Sequence, residues 1–182
     1  VALLLPADCE FWVPQAVGVP EHVLSDAIAR AQALAEAYTG RKLELSAFVA
    51  QLDVAPHTKR LVTGQWPLVV DSTHTLTVVP EADYVVDAAT GCLDCIDGYW
   101  PSGPRAVTVT GHAGYTAETV PADLKDTLLE IVAWRLGNRG GAGVQSESVD
   151  GYSMNLEPIV HGLPESLAKR LDAHRRLSIA WA

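Results

Sequence analysis

Basic side chains are scarce in this chain. Thirteen Lys and Arg stand against 22 Asp and Glu, giving a formal net charge of −9. A body of that sign lacks the clustered Lys and Arg that grip a phosphate backbone, which argues against sequence-reading or tight nucleic-acid binding. Cysteine is scarcer, with three in 182 residues, so a disulfide framework is not what holds the fold. Cys92 and Cys95 form a lone C-x-x-C. In a strand over Gly91–Ile96 their odd separation points them to opposite faces, and no second Cys or His pair follows at zinc-site spacing. No apolar run approaches the roughly 20 residues needed to span a bilayer. The opening VALLLPADC has no basic residue before a short apolar run, and Pro6 and Asp8 sit badly before Cys9. It reads as a segment tucked against the domain, not as a signal. No internal repeat is visible.

Catalytic patterns are missing too. His22, His57, His74, His112, His161 and His174 are scattered, and none forms H-E-x-x-H or another close ligand pair. The glycines of Gly137–Gly143 follow a helix and carry no Gly-Lys-Ser/Thr, unlike a phosphate loop, and no G-x-S-x-G elbow occurs. Asp123 and Asp126 complement a helix dipole more simply than they make a catalytic pair. His112, in a Gly-His-Ala-Gly-Tyr turn, is the one residue on which a small hydrolase could be built, yet no nucleophile accompanies it. The expectation is no catalytic residue, no metal and no cofactor.

What is present is a chain 48% hydrophobic, long enough for a real core. The spacing predicts a helix over 20–39, with Leu24, Ile28, Ala31, Ala35 and Tyr38 on one stripe, Ala29, Ala33 and Ala37 opposite, and Gly40 as its stop. From Leu43 to Thr110 the period changes to two. Strands are expected at 43–52, 59–62, 68–70, 73–79, 84–86, 92–96 and 106–110, with Asp87–Gly91 as a hairpin loop. Gly111 and Gly114 allow a sharp turn through positive φ. Pro121 suits the first position of a helix over 121–137, which places Leu124, Leu128, Ile131 and Val132 on one stripe. A Gly-rich polar loop, 138–158, then carries Val149, Tyr152, Met154 and Leu156 in strand-like alternation, fit either to order against a partner or to form one edge strand. A last helix is expected over 164–177, with Leu167, Leu171 and His174 inward. Residues 61–163 hold thirteen acids and four bases, whereas residues 164–182 hold two acids and four bases. Arg170, Arg175 and Arg176 there are candidates for docking on an acidic surface. The predicted fold class is α+β: a helical bundle (20–41 and 120–182) with an antiparallel β-sandwich or open barrel inserted at 42–119, all one subunit.

Three segments in order carry a family resemblance. Val107–Thr110, Gly114–Tyr115, Val120–Pro121 and Asp123–Leu124–Lys125 make a strand, a Gly-Tyr turn and a Val-Pro helix start. Ala27–Arg41 makes a helix ending in Tyr-Thr-Gly-Arg, and Ser146–Leu156 follows as SESVDGYSMNL. Together they resemble the head–tail connector (adaptor) proteins of long-tailed bacteriophages, with Asp150 interposed before Gly151. The resemblance implies a non-enzymatic virion protein, made in the host cytoplasm and resident in the neck. It implies a ring of identical subunits, normally a dodecamer, touching the portal protein and head-completion or tail-terminator proteins while genomic DNA passes without sequence-specific binding. No membrane is involved. Another neck role (head completion or tail termination), a small hydrolase and a ligand-binding module are the alternatives. The candidate interface is Val149, Tyr152, Met154, Leu156, Arg170, Arg175 and Arg176.

Overall fold

The computed structural model describes residues 3–137, 146–149, 152–155 and 158–175. Helix α1 (Pro6–Trp12) and a 3-10 turn (Pro14–Ala16) lead into α2 (Glu21–Thr39). Strands β1 (Ser46–Val54), β2 (Arg60–Val62), β3 (Leu68–Val69) and β4 (Thr77–Val79) follow, then β5 (Tyr84–Asp87), β6 (Cys92–Cys95) and β7 (Gly103–Ala113). After α3 (Ala122–Gly137) come β8 (Ser146–Val149), β9 (Tyr152–Asn155), β10 (Ile159–Val160) and β11 (Leu163–Pro164). Helix α4 (Glu165–Leu171) continues into a 3-10 turn, Asp172–His174. The fold is α+β, and every strand ladder among the described residues is antiparallel. The chain forms two compact units: the described residues of Val1–Gly40 with Ala117–Arg175, and Arg41–Thr116.

In the helical unit, α2 packs on α3, and both receive α1 and α4. The Ala- and Leu-rich run of α2 has high helix propensity and no internal Gly or Pro. It stops at Gly40, whose φ of 70° lets its N–H turn back to the Glu36 carbonyl. Leu24, Ala27, Ile28, Ala31, Ala35 and Thr39 are buried. Tyr38, expected on that stripe, lies at its edge and donates its hydroxyl to Asp172 at 2.8 Å. On α3, Leu124, Leu128, Ile131 and Val132 are buried. The Lys125 N–H bonds to the Pro121 carbonyl, so Pro121 caps the helix from one position before its expected place. The last helix is shorter than 164–177. Its α-helical part ends at Leu171, and Arg175 is already extended, because Asp172 and His174 are engaged sideways by Tyr38 and Asp123. The N-terminal segment docks through Leu3, Leu4, Cys9, Val13 and Ala16, all buried. Asp8 fastens it, accepting the Leu5 N–H at 3.0 Å and facing the Lys125 ammonium at 3.0 Å.

In the β-rich unit, β7 is central: β1 lies on one side of it, and β3 and β4 pair along its other side. A second sheet runs β2-β6-β5. Both bury one cluster built from Val54, Leu61, Val78, Leu93, Trp100 and Val107, with no closed barrel among the described residues. The Asp87–Gly91 hairpin forms as expected, closed by the Gly91 N–H on the Asp87 carbonyl. Where the chain enters and leaves this unit, Glu44 bridges Tyr115 and the Leu45 N–H reaches the Tyr115 carbonyl at 2.8 Å.

Several local expectations change. The strand predicted at 73–79 shrinks to Thr77–Val79 because the Asp71 carboxylate accepts the N–H groups of Thr73 and His74 and the Thr73 hydroxyl. That side-chain turn competes with the ladder. Strand β7 runs on to Ala113, so His112 sits in a strand opposite Ala47 and Val69, not in a turn. Gly111 has no positive φ; a Cβ there would meet Leu76 Cδ1 at 2.6 Å. Gly114 does turn the chain, at φ +112°, with a Cβ 2.5 Å from the Glu44 carbonyl oxygen. The alternation beginning at Val149 resolves into a hairpin, β8 with β9, in place of one edge strand.

Candidate functional site

The candidate interface residues fall on two parts of the helical unit. Val149 is the register partner of Tyr152 across β8 and β9, and Met154 is the partner of Glu147. Leu156 and Arg176 lie outside the described residues. Arg170 reaches from α4 to Glu130 of α3 at 2.5 Å, and Arg175 lies over the Tyr38 ring, 5.4 Å from its centroid, with Asp172 at 3.6 Å. Both arginines thus have internal carboxylate partners, yet their side chains remain more than half exposed. Exposed pairs of this kind contribute under about 1 kcal/mol, so either can be given up for an outside carboxylate at small cost.

Apolar side chains that the sequence reading did not single out are more prominent. Phe11 and Trp12 are 76% and 65% exposed at the end of α1, edge to face with centroids 4.9 Å apart. Leu5 and Val17 flank them, also exposed. The signal was in the sequence: Cys9 and Val13, four apart, face inward on this short helix, which turns Phe11 to the opposite side.

In the β-rich unit, the outer face of the β1-β7-β4 sheet is uncharged over three cross-strand rows. Val49, Thr110 and Thr77 form one row, and Gln51, Thr108 and Val79 the next. Ala47 and His112 begin the third, which ends at Val69 of β3. Val49 and Val79 are exposed on it.

Several ionisable groups in this unit are engaged locally. The His112 and His74 rings meet edge to face at 4.7 Å, and the turn hydrogen bonds from the Thr73 hydroxyl first, then the His74 ring and the two backbone N–H groups, hold the Asp71 carboxyl well below the usual range. The Arg41 guanidinium stacks 4.1 Å above Trp66 and donates to that residue's carbonyl. Cys95 packs against the core cluster, whereas Cys92 alternates to the other face of β6. Among the described residues no His, Cys, Asp and Glu side chains group as a metal site, and no helix is long and apolar enough to cross a membrane. A shallow concavity lined by Asp53, Pro56, Ser102 and Pro104 holds one carboxylate, which accepts the Arg105 N–H at 2.7 Å. That hydrogen bond fixes the start of β7 against β1.

No protein-family model and no curated protein matches the chain. Its fold does match solved structures. A chain in the virion of a native gene transfer agent (GTA) particle aligns over 99% of this chain and 93% of its own length, with a TM-score of 0.62 at 15% identity. A chain in the neck of an empty GTA particle, computed with C6 symmetry, aligns over the same shares with a TM-score of 0.60 at 15% identity. One in the neck of a native GTA particle, computed with C12 symmetry, covers 88% of this chain and 85% of its own, with a TM-score of 0.54 at 16% identity. The α+β fold is therefore one shared with chains from the neck and virion of gene transfer agent particles.

Proposed function

We propose that this chain is a structural subunit of a phage or phage-like virion neck, acting without catalysis or cofactor as a head–tail connector (adaptor). Copies of it form a ring, a dodecamer in the family it resembles, that bridges the portal protein to head-completion or tail proteins and lets DNA through. The observation that carries this reading is fold agreement along almost the whole chain with chains in particle necks, structures computed with C6 and C12 symmetry. The ordered connector-like segments, Ala27–Arg41, Val107–Lys125 and Ser146–Leu156, support it independently. The acidic body fits passing DNA, since a surface carrying excess carboxylates repels phosphate.

In this reading β8–β9, Leu156 and the basic end of the chain contact neighbours: Val149, Tyr152, Met154 and Leu156 through apolar burial, and Arg170, Arg175 and Arg176 through acidic portal groups. Deleting Gly141–Asp150 in the producing phage should leave a folded protein but yield filled heads without tails, counted by electron microscopy. Normal numbers of tailed, infectious particles from that deletion would remove the bridging role. A reconstruction of the neck separates the adaptor from its runner-up: density directly on the portal ring identifies the adaptor, and density at the tail end identifies a head-completion or tail-terminator protein.

A further inference from the structure

We propose that the free edge of β1 receives the β8–β9 hairpin of a second copy of this chain, so that subunits join head to tail by continuing a sheet. The identity of the neighbour as another copy rests on the ring reading above; that β1 pairs on one side only and that the hairpin has no third strand are observations among the described residues.

Strand β1 is nine residues long and pairs, among the described residues, only with β7. Its other side presents a row of backbone donors and acceptors. Proteins guard such edges with Lys, Pro or bulges, because an open edge templates pairing with another chain. Ser46–Val54 has no Lys, Arg or Pro; its one charge, Asp53, and its one register shift, between Leu52 and Val54, both sit at the far end, so Ser46–Leu52 carries no such guard. Ala47, Val49 and Gln51 are exposed on the outer face beside it. The inward side chains give the same indication: Phe48 and Leu52 reach the core cluster but are only half-buried, whereas Val107 and Val109 on the neighbouring strand are 0% exposed. Among the described residues the sheet continues past β7 to β3 and β4, and no strand pairs beyond β1.

The occupant follows from a matching deficiency. Strands β8 and β9, four residues each, pair with each other and with no other strand among the described residues. A two-stranded hairpin is marginal in water, and a third strand relieves it. Strand addition supplies affinity through main-chain hydrogen bonds, which demand little of the side-chain sequence. Charge permits it: the hairpin strands carry only Glu147, and β1 only Asp53. Edge and hairpin are different surfaces of one chain, so the contact is heterologous and propagates from copy to copy, closing a ring when the rotation allows. Pairing of β1 with β1 would be isologous and would stop at a dimer.

The test uses the full chain in a concentration series, followed by native mass spectrometry and amide hydrogen exchange. The expected result is species larger than a dimer in which 46–54 and 146–155 gain protection together, by about tenfold or more. Val49→Lys, at a position 67% exposed in the single chain, should keep its melting temperature and lose both the oligomers and the protection. Three outcomes overturn the proposal: oligomers with 46–54 unprotected, dimers with 46–54 protected and 146–155 not, or a chain that stays monomeric throughout. None of these disturbs the neck reading, which is decided by where the protein sits in a particle. Conversely, a sheet-joined oligomer that is absent from particle necks would leave this contact standing and remove that reading.

Discussion

Arg41 is 4% exposed; Trp66 covers one face of its guanidinium at 4.1 Å and the Trp66 carbonyl accepts from it, while burial pulls its pKa down against a partial offset from Tyr115. An ammonium cannot stack in that plane. Arg41→Lys should therefore cost roughly 1–3 kcal/mol, read as a lower urea midpoint with altered tryptophan emission. Among the thiols, burial first and the Asp8 charge second push Cys9 up to about 11. At pH 8 a thiol reagent should modify Cys92 and Cys95 in the native protein and reach Cys9 only after unfolding; rapid native reaction of all three would contradict that. At this scale the sequence was a partial guide. The stripe residues Leu24, Ile28, Leu128 and Leu171 were legible from period alone and are buried. His112 was misplaced because a turn and a strand end look alike when two glycines bracket them. The exposure of Phe11 and Trp12 went unread because an aromatic pair in an apolar segment looks like core until the inward face of α1 is assigned.

Helices were easier to read than strands. A 3.6-residue period sustained through α2 and α3 identifies them without tertiary information, whereas strands of two to four residues such as β3, β4 and β6 exist only through their partners. The Asp71 turn, which removes Thr73–Leu76 from a strand, depends on one carboxylate reaching several donors. Leu128→Ala, at a site 1% exposed, should cost about 2–5 kcal/mol by leaving a cavity between helices. Gly114→Ala should be worse tolerated than any exposed substitution, since φ is +112° and the new methyl would lie 2.5 Å from the Glu44 carbonyl oxygen. The seat of α1 should depend on pH. Burial raises the Asp8 carboxyl, but the Leu5 N–H and the Lys125 ammonium outweigh it and leave the pKa below the usual value. A depressed carboxylate contributes stability above its unfolded pKa of about 3.9 and loses it as pH falls through the folded value. Amide protection in Pro6–Trp12, measured relative to the intrinsic exchange rate at each pH, should therefore fall below about pH 4, ahead of protection in α3. Asp8→Asn should show the lower protection already at neutral pH and little further change on acidification.

At the scale of the whole molecule, the net charge of −9 makes a clear statement about DNA. Titrated with duplex DNA at about 0.15 M salt, the chain should give no band shift at micromolar concentration, and lowering the salt should not produce the steep gain that phosphate-binding proteins show. The period of the sequence changes near residue 42 and back near 120, because a helix stripe and an alternating strand cannot share one periodicity. Pairing between the sheets was not legible, since many registers satisfy the same alternation. The insertion has a kinetic meaning as well. Helices α2 and α3 pack on one another, yet the entire β-rich unit separates them in the chain. While that unit is unfolded it is a long slack loop, and the entropy of closing it opposes docking of the two helices. Once folded, the junction of Glu44 with Tyr115 draws the two ends of the loop together and reduces it to a short clasp. The helix pair thus borrows its persistence from a staple in the other unit. Gly114→Ala, at φ +112° beside the Glu44 carbonyl, should release amide exchange in α2 and α3 along with β1 and β7; helices that kept full protection while the sheet opened would show that they close without the clasp.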